Sequence, residues 1–171
     1  MCEEAGCEDS EAFESVVLKN DKVALGAKAF HLFKMTPEQV AEDALLKDEG
    51  NTVPRLVFVE PIKMKTSVVE AKNLKASKVY KAMKSMAGKF WKQKLDGVVK
   101  KHLKMLQEQD NLANAQNTLK GKLQRAKDDA SKTKKVEKEL EEVNERLDEL
   151  AKEQAELWKL TPKHTPADSA S

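Results

Sequence analysis

The feature that most constrains this chain is an apolar repeat in its C-terminal half. Hydrophobic residues recur seven apart from Met105 to Ala126, and at alternating intervals of four and three from Val136 to Leu157, where Gln154 is the one exception. This spacing lines up an apolar seam along one side of a helix and is typical of a coiled coil. Because a helix with so narrow a seam is marginal in water, we expect a second helix to cover it.

The two halves of the seam do not share one register, and the segment between them decides how the seam is covered. Residues 127–135 contain no Gly or Pro, so a helix can continue through them or turn back. A continuous helix predicts an intermolecular coiled coil. A turn predicts a monomeric antiparallel hairpin that pairs Leu112, Leu119 and Leu123 with Leu140, Val143 and Leu147.

The distribution of charge favours the hairpin, whereas the residues at the turn favour a continuous helix. Residues 105–135 are net basic and residues 136–157 are net acidic, so folding back places opposite charges side by side. The turn, however, lacks the Gly or Asn with which helices commonly end. Both arrangements therefore stay open at this point.

Composition excludes several classes of protein. Charged residues make up 35% of the 171 residues and aromatic residues only 5%, as in chains with long solvated helices rather than one large core. The longest apolar run is far shorter than the roughly 20 residues that a membrane span needs. The first eighteen residues carry no Lys or Arg, so they do not form a signal peptide. We expect a cytoplasmic protein, or a secreted or periplasmic one if the true start lies upstream.

A basic stretch raises the alternative of a nucleic-acid binder. Residues 63–104 contain thirteen Lys and two acidic residues. Nucleic-acid surfaces usually add Arg and aromatic side chains that contact bases. This stretch has no Arg, and its only aromatic residues are Tyr80, Phe90 and Trp91. Composition therefore favours a protein partner, or self-association through residues 105–157, over a basic-helix nucleic-acid binder.

The first part of the chain predicts alternating helices and strands. Apolar residues at helical spacing favour a helix over 7–18, and the run that begins at Ala27 favours a strand over 27–33. Thr36, Pro37 and Gln39 form a capping-box pattern that begins a helix extending to about Lys47.

Two strands and a long helix are expected next. Five β-favouring residues between Pro54 and Pro61 predict a strand over 55–59, because proline cannot donate to a ladder. Residues 63–69 are its expected hairpin partner. A helical pattern then runs from residue 73 to residue 106, with bends expected at Gly88 and Gly97.

This order of elements resembles a thioredoxin-like domain without its first strand, over roughly residues 2–92. Cys7-Glu8-Asp9-Ser10 is a C-x-x-S variant of the family's C-x-x-C motif, and Thr52-Val53-Pro54 opens a later strand. By this resemblance Cys7 takes the position of the nucleophile and Ser10 that of the resolving cysteine. Pro54 takes that of the cis-proline, so a cis Val53–Pro54 bond is expected. In the family, the missing strand lies between the strands predicted here at 27–33 and 55–59.

Two functions follow from the resemblance. Because Ser10 replaces the second cysteine, it implies a binding or assembly protein without full dithiol activity. The alternative is a thiol–disulfide oxidoreductase that uses Cys7, whose thiolate a helix N-terminus favours, with or without Cys2 as its redox partner. No cofactor or metal is expected, since the chain lacks a glycine-rich phosphate loop and its histidines are scattered: His31, His102 and His164.

The sequence therefore predicts three parts. Residues 1–92 are expected to form an α/β, thioredoxin-like domain with its first strand missing. Residues 93–160 are expected to form a long α-helical coiled-coil or helical-hairpin region that mediates association. Residues 161–171 are expected to be a disordered tail.

Overall fold

A computed structural model gives the fold of the protein and describes residues 10–50, 53–60, 63–70, 74–126 and 129–163. Of the described residues, those up to residue 99 form one compact unit together with 160–163, and those between 100 and 159 form a second. The described chain is mostly helical, with a small two-stranded antiparallel sheet and long C-terminal helices. The predicted mixture of helices and strands is present, but only two of the three predicted strands form.

Two short helices open the first unit. Residues 10–12 are α-helical and continue into a π-helix at Phe13–Leu18, so the described part of the first predicted helix is confirmed. Helix α1 (Asp21–Ala27) follows directly. The side-chain oxygen of Asn20 accepts a hydrogen bond from the Lys22 N–H at 3.2 Å, and this N-cap begins the helix.

Helix α2 (Pro37–Glu42) begins with the predicted capping box. The Gln39 N–H donates to Thr36 Oγ1 at 3.4 Å, and the Thr36 N–H donates to Gln39 Oε1 at 2.8 Å. The helix ends at Glu42 rather than near Lys47. The Asp43 carboxylate accepts the N–H groups of the next turn, and these local bonds compete with helical ones.

The sheet consists of β1 (Leu56–Glu60) and β2 (Lys65–Val69). The two strands pair antiparallel, with Leu56 opposite Val69 and Glu60 opposite Lys65. The predicted hairpin is therefore confirmed. Phe58 is buried, and its ring meets the edge of Phe30 with 5.8 Å between ring centroids.

The strand predicted over 27–33 is wrong. The N–H groups of Lys28, Ala29 and Phe30 donate to carbonyls three residues earlier, so the start of this segment forms tight turns at the end of α1. Residues 31–36 form no strand. Among the described residues β1 pairs with β2 alone, and a segment without a neighbouring strand has no ladder to join.

Helix α3 (Ala76–Phe90) packs against α1 in the core of the first unit. The helices approach closely at Gly26, since a Cβ atom there would lie 3.3 Å from Tyr80 Cε2 and 3.5 Å from Met83 Sδ. The side chains of Val23 and Val79 are at most 1% exposed. The glycine therefore lets the backbone of α1 lie directly on the Tyr80 ring.

The long predicted helix is broken between α3 and α4 (Leu95–Arg125). Gly88 and Gly97 both lie inside helices, so the helix is not broken at either glycine, and the bends expected there stay a prediction. The break falls at residues 91–94, beside the returning chain. There the Lys92 N–H donates to the Thr161 carbonyl at 2.9 Å, and the Lys163 N–H donates to the Phe90 carbonyl at 2.7 Å. These bonds satisfy backbone groups that the helix break exposes.

Substitution of Gly26 tests the contact between α1 and α3. We expect Gly26→Leu to lower the free energy of unfolding by about 1–3 kcal/mol, because the added side chain overpacks the core. Urea denaturation would measure the change. Gly88→Ala is the matched control, since nothing lies within 4 Å of the Cβ it adds. It should raise stability by roughly 0.5–1 kcal/mol, because Ala favours a helix over Gly. An unchanged stability in Gly26→Leu would contradict the close approach.

Tyr80, the single tyrosine of the chain, offers a second test of this core. Its hydroxyl donates to Asp96 Oδ1 at 3.4 Å. Burial, followed by the charge of Asp96, raises the pKa of Tyr80 to about 12. The folded protein thus holds the phenolic proton more tightly than the unfolded chain does. The stability that this contributes is complete below about pH 10, the ordinary pKa of tyrosine, and is lost as pH rises through the folded pKa.

Tyrosinate absorbance should therefore show a midpoint near pH 12 in the folded protein, and one near the ordinary value of about 10 in denaturant. Asp96→Asn should lower the folded midpoint only in part, because burial is the larger cause. A folded midpoint at the ordinary value would contradict the burial of this ring.

Candidate association surface

The second unit is an antiparallel helical hairpin made by α4 from residue 100 onward and by α5 (Ala130–Leu157). Gln116 Nε2 donates to Asn144 Oδ1 at 2.7 Å, and Gln154 Nε2 donates to Gln109 Oε1 at 3.2 Å. Residue numbers fall along α5 as they rise along α4, so the helices run in opposite directions. Of the two predicted arrangements, the chain adopts the hairpin.

The turn of the hairpin relies on side-chain caps rather than on Gly or Asn. The Asp129 carboxylate accepts the N–H groups of Ser131 and Lys132 at 3.2 and 3.1 Å, which caps α5. The hydrogen bond from the Lys132 side chain, followed by those from the backbone, lowers the pKa of Asp129. The Thr133 hydroxyl donates to the Ala126 carbonyl at 2.8 Å, so it satisfies an acceptor at the end of α4.

A histidine and a tryptophan join the two helices at the opposite end of the hairpin. Trp158 Nε1 donates to His102 Nδ1 at 2.8 Å, and His102 is 4% exposed. This bond requires an unprotonated Nδ1. His102 thus has a structural role that its position in the sequence did not reveal.

Arg146 joins the two helices along one side of the hairpin. Its guanidinium contacts Glu108 of α4 at 2.8 Å, and Glu149 and Glu153 of its own helix at 3.1 and 2.9 Å. Hydrogen bonds to Glu108, Glu153 and Glu149, in that order of size, raise the pKa of Arg146 above its ordinary value. A single cation therefore holds together three carboxylates that would otherwise repel one another.

The hairpin leaves most of its apolar seam partly exposed. Among the described seam residues, Met105, Leu119 and Leu150 are buried. The remaining apolar seam residues are half-buried: Leu112, Leu123, Ala126, Val136, Leu140, Val143, Leu147 and Leu157. Two helices can cover each other along one line only, so the seam needs a further surface to be buried completely.

A groove of about 470 Å³ lies between α4 and α5 where the seam is half-buried. Its lining comprises four apolar residues flanked by four polar or charged ones. From α4 come Leu112, Ala115, Thr118, Leu119 and Lys122, and from α5 come Glu139, Glu142 and Val143. The groove brings together Leu112, Leu119 and Val143, as the predicted hairpin pairing requires.

The residues implied by the thioredoxin resemblance do not form a described site. Ser10 is the first described residue and is helical, and Pro54 is half-buried. The Val53–Pro54 bond is cis, as expected. Cys2, Cys7 and Thr52 lie outside the described residues. The redox role of Cys7, with or without Cys2, therefore stays a prediction.

The described part of the chain contains no group of three His, Cys, Asp or Glu side chains that could hold a metal ion. It also contains no helix with the length and hydropathy to cross a membrane. His164 lies outside the described residues.

Comparison of the chain with protein-family models, with curated proteins and with solved structures finds no match. A function must therefore be inferred from the hairpin itself. The heptad spacing located the seam but did not indicate the groove residue Ala115 or the bridging role of Arg146. A signal for Arg146 was present, because it is the single Arg in the acidic second helix.

Replacement of Arg146 tests the charged bridge between the helices. At neutral pH, Arg146→Met should lower the melting temperature by roughly 2–4 °C, because Glu108, Glu149 and Glu153 then repel one another. Thermal melts followed by circular dichroism would measure the change. The control Lys152→Met removes one positive charge from an exposed position of the same helix. Equal deficits in the two variants would contradict the bridge.

Proposed function

We propose that this protein is a thioredoxin-like binding or assembly protein that associates with another protein surface through its helical hairpin, residues 105–157. The observation that carries the proposal is the half-buried seam with its groove. A contiguous apolar surface rimmed by polar residues is characteristic of interaction sites.

The energetics favour a partner on this surface. Burial of apolar area is worth about 25 cal/mol per Å², and the half-buried seam offers this gain along both helices. The charged residues beside the groove keep the hairpin hydrated when it is free. They also give the groove the apolar centre and polar border that transient interfaces usually have.

The proposal also includes a thioredoxin-like fold for the first unit. It is supported by the β1–β2 hairpin at the expected positions and by helix α3 directly after it. The cis bond before Pro54 is also the one that the resemblance implied. Ser10 at the resolving position supports binding rather than dithiol exchange.

Site-specific photo-crosslinking in the cells that make the protein tests the association. A photoreactive amino acid replaces Thr118, which lines the groove, or Ala113, which is exposed and lies outside it. We expect protein adducts from position 118 in clear excess over those from position 113, because a partner in the groove holds a reactive surface against it. Equal yields, or no adducts from position 118, would contradict the proposed function.

A further inference from the structure

We propose that the partner in the groove is a second copy of this chain, so that two hairpins pack face to face as an antiparallel four-helix bundle. This inference rests on the proposed function and identifies the partner of the same surface. Two observations support a second copy: the distribution of charge around the groove and the half-buried seam.

The two sides of the groove carry opposite charge. Between residues 112 and 122 the charged residues of α4 are both basic: Lys120 and Lys122. Facing them, residues 137–145 of α5 contain five Glu and one Lys. Of these charges, Lys122 lines one side of the groove, and Glu139 and Glu142 line the other. A complementary partner must therefore present acidic groups to α4 and basic groups to α5 at the same level.

A second hairpin meets this requirement in one orientation. When a two-fold axis runs parallel to the helices, α5 of one copy lies on α4 of the other, and Lys122 faces the glutamates of the partner groove. An axis perpendicular to the helices places α4 on α4 and α5 on α5, so like charges meet. Both orientations make all neighbouring helices antiparallel, as in up-down-up-down four-helix bundles, so the charges alone favour the first.

The apolar lining is self-complementary in the same orientation. A two-fold interface uses the same patch on both copies, so the groove of one hairpin meets the groove of the other. Ala115 is the smallest apolar residue of the lining, and it allows the backbones to approach. Leu112 and Val143, both half-buried in the single hairpin, then become core residues of a bundle.

Light scattering coupled to gel filtration of the full chain tests the inference. We expect the wild-type protein to have twice the 19.2 kDa mass of one chain. Ala115→Arg places a long cation in the apolar centre of the groove and should give the mass of a single chain. The matched control is Ala113→Arg. Ala113 is exposed and, two residues away, points about 200° around the helix from Ala115. This variant should keep the wild-type mass.

Reversal of the charges at the groove rim tests the orientation of the two copies and leaves the apolar residues of the groove unchanged. Lys122→Glu should weaken the dimer at least about tenfold, which corresponds to the loss of 1.4 kcal/mol. Addition of Glu139→Lys and Glu142→Lys should restore it, because the rim charges are then exchanged on both copies. Circular dichroism of each variant shows whether the hairpin is folded. If Ala115→Arg fails to fold, the exposed Lys122 position still decides the question.

The outcomes separate this inference from the proposed function. A wild-type chain that stays single while Thr118 crosslinks to a different protein overturns the second copy and leaves the proposed function in place. A wild-type protein that is monomeric and gives no adducts from position 118 overturns both the second copy and the proposed function. A dimer that persists in both Ala115→Arg and Lys122→Glu overturns the groove as its interface.

Discussion

The antiparallel pairing of α4 with α5 is the constraint on which the second unit depends. Neither helix can bury its narrow seam alone, so each is stable only against the other. Once they pair, the basic helix lies beside the acidic one and Arg146 reaches Glu108 across the interface. The same pairing places Trp158 within hydrogen-bond distance of His102. The caps at Asp129 and Thr133 then only have to close the turn.

Features set by neighbouring residues could be predicted from the sequence. The capping box at Thr36 forms because the residues that satisfy the first amides of the helix lie three positions apart. The β1–β2 hairpin forms because Pro54 and Pro61 bound the first strand and its partner follows within a few residues. The heptad spacing likewise revealed the seam, since one helix carries the whole signal. Each of these needs no knowledge of distant parts of the chain.

Features set by distant contacts could not be predicted. The break after α3 depends on backbone bonds from residues 161–163, which the sequence placed in a tail. The strand expected over 27–33 failed because strand formation needs a neighbour, which no local pattern supplies. Asn20 shows a further ambiguity: it can stop one helix or cap the next, and here it caps α1. The groove belongs to this class too, because it exists only where Ala115 of one helix meets Val143 of the other.

The turn between the helices also decides what the outer face of the hairpin presents. A continuous helix would expose its basic half and its acidic half one after the other along its length. Folding back instead sets the two charges side by side, with half-buried leucine and valine between them. A flat, uniformly charged partner would be repelled by one of the two helices. A partner that fits this face would therefore present two oppositely charged, parallel lines about one helix diameter apart, roughly 10 Å, which is the pattern that the hairpin itself displays.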